Sequence, residues 1–321
     1  MYDVAIIGAG FAGLTAAVQL QKAGRKIILF EQQSRAGGRA ATKKIKGGKA
    51  DYGAQFFTVR TETFQRSVDE WLNKGWIKRW FGEDYPRYTS VNGMERLAEH
   101  LADNCEVKYQ TKVMKLVKEG GGFQIQTADG KAFKSARVLL TMPAPLMVNL
   151  LRNSGIEAES FSNLVFKPTY VGIFHLDSSG TIPDSGHLDK DLPEGVERIV
   201  DHFKKGISQT CLISVYMTAD WSENHNSREA GEILTEIKSK IKNYLPLDSL
   251  HEEVLEYWPY AQASKTFNAS FMKLEENLYA AGDAFLRPDD SAGRTRLESA
   301  FLSGYDAGNA IETALAHERE E

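Results

Sequence analysis

The chain has 321 residues, of which 42% are hydrophobic and 26% charged, and its formal net charge is −4. This composition is typical of a globular protein with one large domain or two smaller ones. The sequence has no block of lysines and arginines, so it gives no reason to expect nucleic acid as a partner. Cys105 and Cys211 are far apart and lack metal-ligand spacing, so we expect small core residues in a reducing compartment, and no metal site.

The longest apolar stretch, residues 138–151, is interrupted by Pro143, Pro145 and Asn149. A membrane-spanning helix needs about 20 consecutive apolar residues. The first predicted strand begins at residue 2, which leaves no room for a signal peptide. The sequence therefore predicts a cytoplasmic chain without a membrane span.

The start of the chain, as far as Glu31, predicts a strand, a glycine-rich turn, a helix and a second strand. The strands cover residues 2–7 and 26–30, the helix covers residues 14–22, and the sequence GAGFAG occupies residues 8–13. This is the element order of a dinucleotide-binding βαβ unit. In such a unit Gly8 permits the tight turn, Gly10 lets the backbone approach a pyrophosphate, and Gly13 lets the helix pack closely on the strand.

Both ends of this unit carry further candidate binding residues. Phe11 and Ala12 lie where the helix begins, and the free N–H groups and dipole of a helix start favour phosphate. Glu31 follows the second strand and precedes Gln32. Its separation from Gly8 along the chain is close to that of an acid that accepts hydrogen bonds from a ribose 2′-hydroxyl. A carboxylate there would repel a 2′-phosphate, so we expect an unphosphorylated ribose.

Two small-residue segments follow. Gly37 and Gly38 precede Arg39, and this loop either lets the backbone approach a ligand, with Arg39 donating to phosphate, or is a flexible turn with a solvated arginine. Residues 51–58, with the sequence DYGAQFFT, run into a strand-like aromatic pair.

The segments GAGFAG, FE, GGRAAT and DYGAQFFT together resemble the flavin-containing amine oxidase superfamily, and within it the renalase-like members. The resemblance implies that residues 37–39 lie along the pyrophosphate of FAD. It implies that residues 53–56 run beside the isoalloxazine ring, that Val113 offers its backbone to adenine, and that a turn near the cofactor follows strand 138–141. The residues implied at the ring and in that turn are Gly53, Ala54, Gln55, Phe56, Thr141 and Pro143.

The middle of the chain alternates between helix and strand patterns. Residues 62–80 have the amphipathic pattern of one helix, and residues 93–102 predict another. Short alternating segments at residues 106–110, 113–117, 123–127 and 132–135 predict a β-meander, which contains an Asp-Gly turn at 129–130. It returns to a buried strand at residues 138–141, which Pro143 ends because proline cannot continue a ladder.

Residues 146–269 lack nucleotide-binding patterns. Residues 170–176, 198–203, 211–217 and 254–258 predict strands of an antiparallel sheet, and residues 229–244 predict a helix. We expect a substrate domain whose sheet covers the flavin. Trp258 and Tyr260 lie in a run that resembles one in bacterial renalase-like proteins, although Pro259 stands where an arginine is expected. Tyr260 either contacts a planar substrate or is an ordinary core tyrosine.

The C-terminal part resembles the second FAD signature of the superfamily, AGDAF followed by R-x-E-x-A-x-x-SG. Gly282 allows close approach, and Asp283 can accept a hydrogen bond from a ribityl hydroxyl. The start of the last helix would face the pyrimidine end of the flavin, where reduction builds negative charge. The candidate cofactor residues in this signature are Arg296, Glu298, Ser299 and Ala300.

The implied fold is α/β, with a Rossmann-like FAD domain of the glutathione-reductase/p-hydroxybenzoate-hydroxylase type and a second α+β domain with a mixed or antiparallel sheet. We expect the FAD domain at residues 1–58, 90–145 and 270–321, and the substrate domain at residues 59–89 and 146–269. Oligomeric state is left open. Ligands are expected at the carboxyl ends of the parallel strands, between the domains.

FAD would supply the redox chemistry, consistent with the absence of a nucleophile–base pattern; His175, His202 and His225 are scattered singly. The sequence has no second GxGxxG motif, and this argues against a reductase that binds NAD(P)H in a Rossmann domain of its own. The sequence has no cysteine or histidine beside the flavin motifs that could be linked covalently to FAD. We therefore expect FAD to be bound non-covalently.

The resemblance implies an oxidase that converts dihydro-NAD(P) isomers to NAD(P)+ and reduces O2 to H2O2. The alternatives are a flavin-containing amine oxidase or small-molecule desaturase, and a flavin-binding sensor without turnover.

Overall fold

The computed structural model describes residues 1–290 and 292–317; Ser291, in the predicted loop before the last helix, and residues 318–321, at the end of the predicted FAD domain, lie outside them. The described residues form seventeen strands. They are β1 (Tyr2–Ile7), β2 (Ile27–Phe30), β3 (Thr42–Ile45), β4 (Gly48–Asp51), β5 (Ile77–Phe81), β6 (Arg87–Ser90), β7 (Val107–Lys108), β8 (Val113–Glu119), β9 (Gly122–Thr127), β10 (Ala132–Leu140), β11 (Val165–Leu176), β12 (His187–Leu188), β13 (Val196–Asp201), β14 (Cys211–Met217), β15 (Glu252–Lys265), β16 (Met272–Glu275) and β17 (Leu278–Ala280).

Seven α-helices connect or cover these strands within the described ranges. They are α1 (Phe11–Lys22), α2 (Glu62–Asn73), α3 (Met94–Ala102), α4 (Ala144–Asn153), α5 (Ala219–Asn224), α6 (Ala230–Ile241) and α7 (Leu297–His317).

The first sheet has eight strands, and its main path runs β16-β17-β10-β1-β2-β7. β1 pairs in parallel with both β2 and β10, and β10 pairs in parallel with β17. Strands paired on both sides and covered on both faces require continuous apolar sequence, which β1 and β2 provide. This arrangement confirms the predicted α/β fold with a Rossmann-like parallel sheet.

Two local predictions need correction, and one helix was not predicted. Residues 132–135 and 138–141 were expected as separate strands, but β10 is one strand that pairs with β9 through Ser135 and continues beside β1. The helix predicted over residues 62–80 ends at Asn73, and Gly75 follows with a φ of +68°. A glycine in this region of φ is a common helix stop. Residues 144–153 form α4, which the proline pair had obscured.

The second sheet is antiparallel, in the order β12-β13-β14-β11-β15. One face, with Phe174 and Ile213, packs on α6. The opposite face, with Val171, Val200 and Tyr216, packs on β3–β4 and the residues after them. The predicted antiparallel sheet is therefore present, with one face turned towards the nucleotide-binding half of the molecule.

The main core joins both ends of the chain. α1 packs along α7, where a Cβ on Gly304 would lie 2.1 Å from the carbonyl oxygen of Ala12. Phe64 and Trp71 of α2 also pack in this cluster, against Phe301. The first segment assigned to the substrate domain thus shares its core with α7, and the division into two domains stays a prediction.

None of the described helices is long and apolar enough to cross a membrane. Residues 1–290 and 292–317 also contain no group of three or more histidine, cysteine or acidic side chains that could hold a metal ion. Burial raises the pKa of the Cys105 thiol to about 11 and that of Cys211 to about 12. Both thiols are therefore protonated and unreactive at neutral pH.

Candidate cofactor and substrate site

A cavity of about 1860 Å³ lies between the parallel sheet and the antiparallel sheet. This exceeds the roughly 300–1,000 Å³ of a typical small-molecule pocket. Of the 25 predicted site residues, 22 line it; the other three are Gly13, Glu298 and Ser299. The cavity begins at the glycine turn and the end of β2 and reaches the β5–β6 hairpin, β12 and β13.

The glycines of the first turn divide into two kinds. Gly8 has a φ of +110°, and a Cβ there would lie 2.8 Å from Oγ1 of Thr141. A Cβ on Gly13 would lie 2.1 Å from the carbonyl oxygen of Gly8. These two glycines are required by the packing of the protein itself. Gly10, in contrast, has an ordinary φ of −79° and open space where its Cβ would point.

The start of α1 suits an anion. Gly10 is its N-cap, no side chain caps the helix, and the first turn has no acidic residue. The free N–H groups and positive dipole end therefore meet no carboxylate from α1 itself. Gly38 approaches this point, since its Cβ position lies 3.7 Å from the Cα of Gly10. Two glycine loops thus form a cradle into which the backbone of both can donate.

Glu31 is buried at the end of β2 and lines the same cavity. One carboxylate oxygen accepts a hydrogen bond from the N–H of Ala9 at 3.0 Å, and the other accepts one from the N–H of Gln33 at 2.8 Å. The carboxylate therefore fixes the glycine turn as well as facing the cavity. Each oxygen retains a lone pair for a ribose hydroxyl.

Arg39 and Asp283 form a bidentate ion pair, with N–O distances of 2.9 and 2.5 Å. Arg39 also donates to the carbonyl oxygen of Ala261 at 3.1 Å. The pair joins the loop after β2 to the end of β17. The sequence predicted separate contacts of these two side chains with the cofactor, and the structure brings them together at the cavity wall.

Some residues of the C-terminal signature line the cavity and others do not. Arg296 and Ala300 line the cavity, and Arg296 pairs with Asp290 at 2.8 Å. Glu298 is fully buried away from it, and one of its carboxylate oxygens accepts hydrogen bonds from the N–H groups of Arg60 and Thr61 and from the Thr61 hydroxyl. Ser299 is also buried outside the lining. Glu298 thus holds the start of α2 through its N-cap, Thr61.

A buried polar cluster fixes the segment predicted to lie beside the flavin ring. Lys205 and Asp51 are both inaccessible to solvent, and Nζ of Lys205 donates to Oδ2 of Asp51 at 2.7 Å. The same Nζ donates to the backbone oxygen of Gln55 at 2.7 Å and to its Oε1 at 3.0 Å. Burial is the main cause that lowers the pKa of Lys205. The sequence analysis missed Lys205 because its partners, Asp51 and Gln55, are distant from it along the chain.

Tyr216 completes this cluster from the antiparallel sheet. Its hydroxyl contacts the backbone oxygens of Asp51 and Gly53, each at 3.0 Å, and also meets the amide of Gln55. Burial and the nearby Asp51 raise the pKa of Tyr216 well above its usual value, so it stays protonated. The segment 51–55 is thereby held between the two sheets at several atoms.

Trp258 and Tyr260 both line the cavity from β15. The indole N–H of Trp258 donates to the carbonyl oxygen of Tyr52 at 2.8 Å, and its ring stacks on that of Tyr52 with centroids 5.2 Å apart. Trp258 is therefore a fixed apolar wall. The ring of Tyr260 contacts that of Phe166 edge-on, with ring centroids 6.3 Å apart. The Tyr260 hydroxyl makes no hydrogen bond to the described residues.

The far end of the cavity contains residues that the sequence analysis did not select. These residues are His187, Arg87 and Arg198. Phe81, outside the lining, packs against His187 and against the predicted site residue Phe56. Of the histidines considered earlier, His202 is fully buried against Ser214, whereas His175 and His225 are outside the lining. His187 lies in a two-residue strand, which no periodicity could indicate.

These residues fit FAD. The open position at Gly10, the uncapped helix start and the inward carboxylate of Glu31 match a pyrophosphate with an adjoining ribose. The residues that would hold the remainder are those of the 53–56 segment and of the C-terminal signature that line the cavity. The structure thus defines a Rossmann-type dinucleotide fold with a second sheet over the binding cavity.

Comparison with known proteins identifies the family. Residues 69–311 match the family described as flavin containing amine oxidoreductase, and residues 6–71 match an NAD(P)-binding Rossmann-like domain. The first match covers well over half of the chain, so the protein belongs to the flavin-containing amine oxidoreductase family, whose cofactor is a flavin.

Matches to curated relatives are shorter. A putative flavin-containing monoamine oxidase AofH of Mycobacterium tuberculosis is 46% identical over 54 residues, or 17% of this chain and 12% of that protein. An L-amino-acid oxidase of Siganus canaliculatus is 53% identical over 109 residues, 32% of this chain and 20% of that protein. A 1-hydroxycarotenoid 3,4-desaturase of Flavobacterium sp. is 30% identical over 119 residues, 35% of this chain and 24% of that protein. The matched stretches thus span at most about a quarter of these relatives.

Two solved structures share the fold over nearly the whole chain. A putative protoporphyrinogen oxidase from Exiguobacterium sp. 255-15 has a TM-score of 0.74 at 12% identity and covers 97% of this chain and 98% of its own. A CLA-producing fatty acid isomerase from P. acnes has a TM-score of 0.70 at 14% identity, with 96% and 98% covered. At these identities the likeness establishes the fold alone.

Proposed function

We propose that this chain is an FAD-dependent oxidase that oxidises a small molecule, with renalase-like activity on dihydro-NAD(P) isomers and O2 as electron acceptor, giving NAD(P)+ and H2O2. FAD, when bound, supplies the two-electron acceptor for this chemistry. We propose further that it is held without a covalent bond by the cavity-lining residues of the glycine turns, the 53–56 segment and the C-terminal signature.

The observation that supports this proposal most is the continuity of one cavity. Its first end has the phosphate cradle at Gly10 and Gly38, and its other end has an aromatic wall built from Phe56, Trp258 and Tyr260. A cofactor that fills the first end leaves volume at the second, beside the 53–56 segment. A planar dihydronicotinamide fits such an aromatic-lined space.

The chain's own residues would exclude water and orient the substrate. Trp258 and Tyr52 form a stacked wall whose polar atoms are already used within the protein. The Lys205–Asp51–Gln55 contacts keep the segment beside the flavin rigid.

Anaerobic reduction of the FAD-loaded protein tests the proposal. The flavin absorbance is followed after mixing with 6-dihydro-NAD, with ordinary NADH and benzylamine as comparison donors. We expect rapid bleaching by 6-dihydro-NAD alone, and one H2O2 per NAD+ formed once air is admitted. Bleaching by benzylamine and none by 6-dihydro-NAD would exclude the renalase-like activity.

A flavin-containing amine oxidase or desaturase is the second candidate. It is favoured by the similarity of short stretches of this chain to a putative monoamine oxidase and to a carotenoid desaturase. The same donor comparison separates the two candidates. FAD that stays oxidised with every donor would favour the third possibility, a flavin-binding sensor.

A further inference from the structure

The substrate end of the cavity is formed in part by three basic side chains, Arg87, His187 and Arg198, which we call the basic wall. His187 of β12 pairs with Val200 of β13, and Arg198 lies two positions before Val200 on the same strand. Paired residues and residues two apart on a strand share a face. His187 and Arg198 therefore project from the same face of the antiparallel sheet.

Arg87 reaches this place from the β5–β6 hairpin. Its guanidinium lies over the ring of Phe81 at 5.3 Å, and the imidazole of His187 stacks on the same ring with centroids 4.9 Å apart. The guanidinium of Arg198 lies over the ring of Tyr216 at 5.7 Å. Since Tyr216 holds the 51–55 segment, the basic wall is adjacent to the segment predicted to lie beside the flavin.

The basic wall has donors left over. His187 is 8% exposed, and its Nε2 is buried without a hydrogen-bond partner in the described part of the chain. Nε of Arg87 is likewise buried and unpartnered there. Nδ1 of His187 is 3.9 Å from the nearest oxygen of Asp189, too far for a hydrogen bond. Buried polar atoms normally have partners, so both side chains keep hydrogen-bonding capacity that the described part of the protein does not use.

The charges nearby are predominantly positive. Three acids line the same part of the cavity, namely Asp84, Asp189 and Glu197. Asp84 is exposed, and the side chains of Asp189 and Glu197 are 57% and 41% exposed, so water screens all three. Arg198 pairs with Glu197, but Arg87 has no acidic partner among the described ion pairs. Burial and the adjacent arginines lower the pKa of His187 to about 4. The imidazole is therefore neutral at pH 7 and can donate one N–H.

We propose that the basic wall is a subsite for an anionic group of the substrate, a carboxylate or a phosphate. Two guanidinium groups supply charge and paired donors, and the neutral imidazole supplies one further donor. The inference deepens the proposed function, on which its assignment to the substrate rests, because it predicts substrates with an acidic group. A dihydronicotinamide dinucleotide has such groups, whereas a simple monoamine has none.

Calorimetric titration of the FAD-loaded protein with benzoate, phenyl phosphate and neutral benzamide tests the subsite. We expect benzoate or phenyl phosphate to bind at least about tenfold more tightly than benzamide. The stronger of the two acids identifies the favoured anion. Arg198→Gln and Arg87→Gln should each weaken binding of that acid by about tenfold or more and leave benzamide unchanged.

Arg66→Gln is the matched control, because Arg66 is an exposed arginine of α2 that does not line the cavity. It removes the same charge and should alter acid binding less than threefold. Equal binding of the acids and benzamide by the unmutated protein would overturn the proposal, whether or not the variants fold. An equal loss of acid binding in all three arginine variants would also overturn the proposal, because the net charge of the protein would then explain the loss.

The titration requires no turnover. The protein could bind the acids selectively while 6-dihydro-NAD fails to bleach its flavin. That result would refute the renalase-like activity and support the anion subsite. Bleaching by 6-dihydro-NAD without acid-selective binding would support the renalase-like activity and refute the anion subsite.

Discussion

At the scale of single residues, the glycines of the first turn separate what the fold requires from what a ligand requires. Gly13 has no room for a Cβ, because the carbonyl oxygen of Gly8 occupies that place. Gly10 has room and an ordinary φ, so the apoprotein itself gives no reason for a glycine there. We expect the reason to lie in a molecule that binds in the cradle.

Gly10→Val should therefore abolish FAD binding and leave stability nearly unchanged, within about 1 kcal/mol. Gly13→Val is the contrasting variant, and overpacking should lower its unfolding free energy by about 1–3 kcal/mol or more. Urea unfolding and the flavin absorbance of the purified proteins measure both effects. A yellow Gly10→Val protein with a normal flavin spectrum would contradict the proposed cradle.

Glu31 gives a second prediction at this scale. Glu31→Ala should weaken FAD by about 1–3 kcal/mol, the range for losing a hydrogen bond to a charged group. Its carboxylate also accepts from the N–H groups of Ala9 and Gln33, so Glu31→Gln, which keeps one acceptor oxygen, should lose less. Equilibrium dialysis with FAD compares the two. Unchanged FAD affinity in Glu31→Ala would remove Glu31 from the ribose role.

At the scale of elements, Glu298 shows how a residue of a cofactor signature can serve the fold. Its carboxylate binds two backbone N–H groups and a hydroxyl at the start of α2 and so ties α7 to that helix. Its side chain lies outside the cavity lining. We therefore expect its effect on FAD to be indirect.

Glu298→Ala should lower the unfolding free energy by about 2 kcal/mol or more, because the three donors at the start of α2 lose their acceptor. Thermal unfolding of the apoprotein measures this loss. FAD affinity, measured well below the unfolding transition, should change less than about threefold. A selective loss of FAD affinity with normal stability would instead return Glu298 to the cofactor site.

Element by element, the sequence predicts the glycine-turn end of the cavity better than the end at the basic wall. The glycine turn and both strands beside it lie between Tyr2 and Glu31, so local spacing is enough to place them. The basic wall needs Arg87, His187 and Arg198 from three strands, whose proximity depends on sheet pairing. The predicted helix over 62–80 ran too far because Leu72, Trp76 and Trp80 keep helical spacing beyond Gly75, which ends it.

At the scale of the whole molecule, two buried histidines make stability depend on pH. The pKa of His187 is lowered to about 4, chiefly by burial, with Arg198, Arg87 and Lys205 acting in the same direction and Asp189 against it. Burial, with Lys205, also lowers the pKa of His202 well below 6.5. Between about pH 6.5 and 4 the unfolded chain binds protons that the folded chain does not.

Stability should therefore fall as the pH is lowered from about 6.5 to 4. His187→Gln removes one of the two histidines, so the slope of unfolding free energy against pH in this window should decrease. Urea unfolding at several pH values measures the slopes of both proteins. Parallel slopes for the unmutated protein and His187→Gln would contradict the neutral, buried state of His187.

The position of β17 between β16 and β10, and the packing of α7 on α1, have a consequence for the nascent chain. β17 joins the parallel sheet beside β10, and Gly304 of α7 seats against Ala12, near the first glycine turn. Part of the nucleotide-binding unit thus leaves the ribosome before the antiparallel sheet, and the unit is completed only after that sheet has been synthesised. Until α7 is synthesised, the apolar faces of α1 and β10 lack their cover. The antiparallel sheet, contained within residues 165–265, can form earlier, so we expect the substrate side of the molecule to be in place before a cofactor is captured.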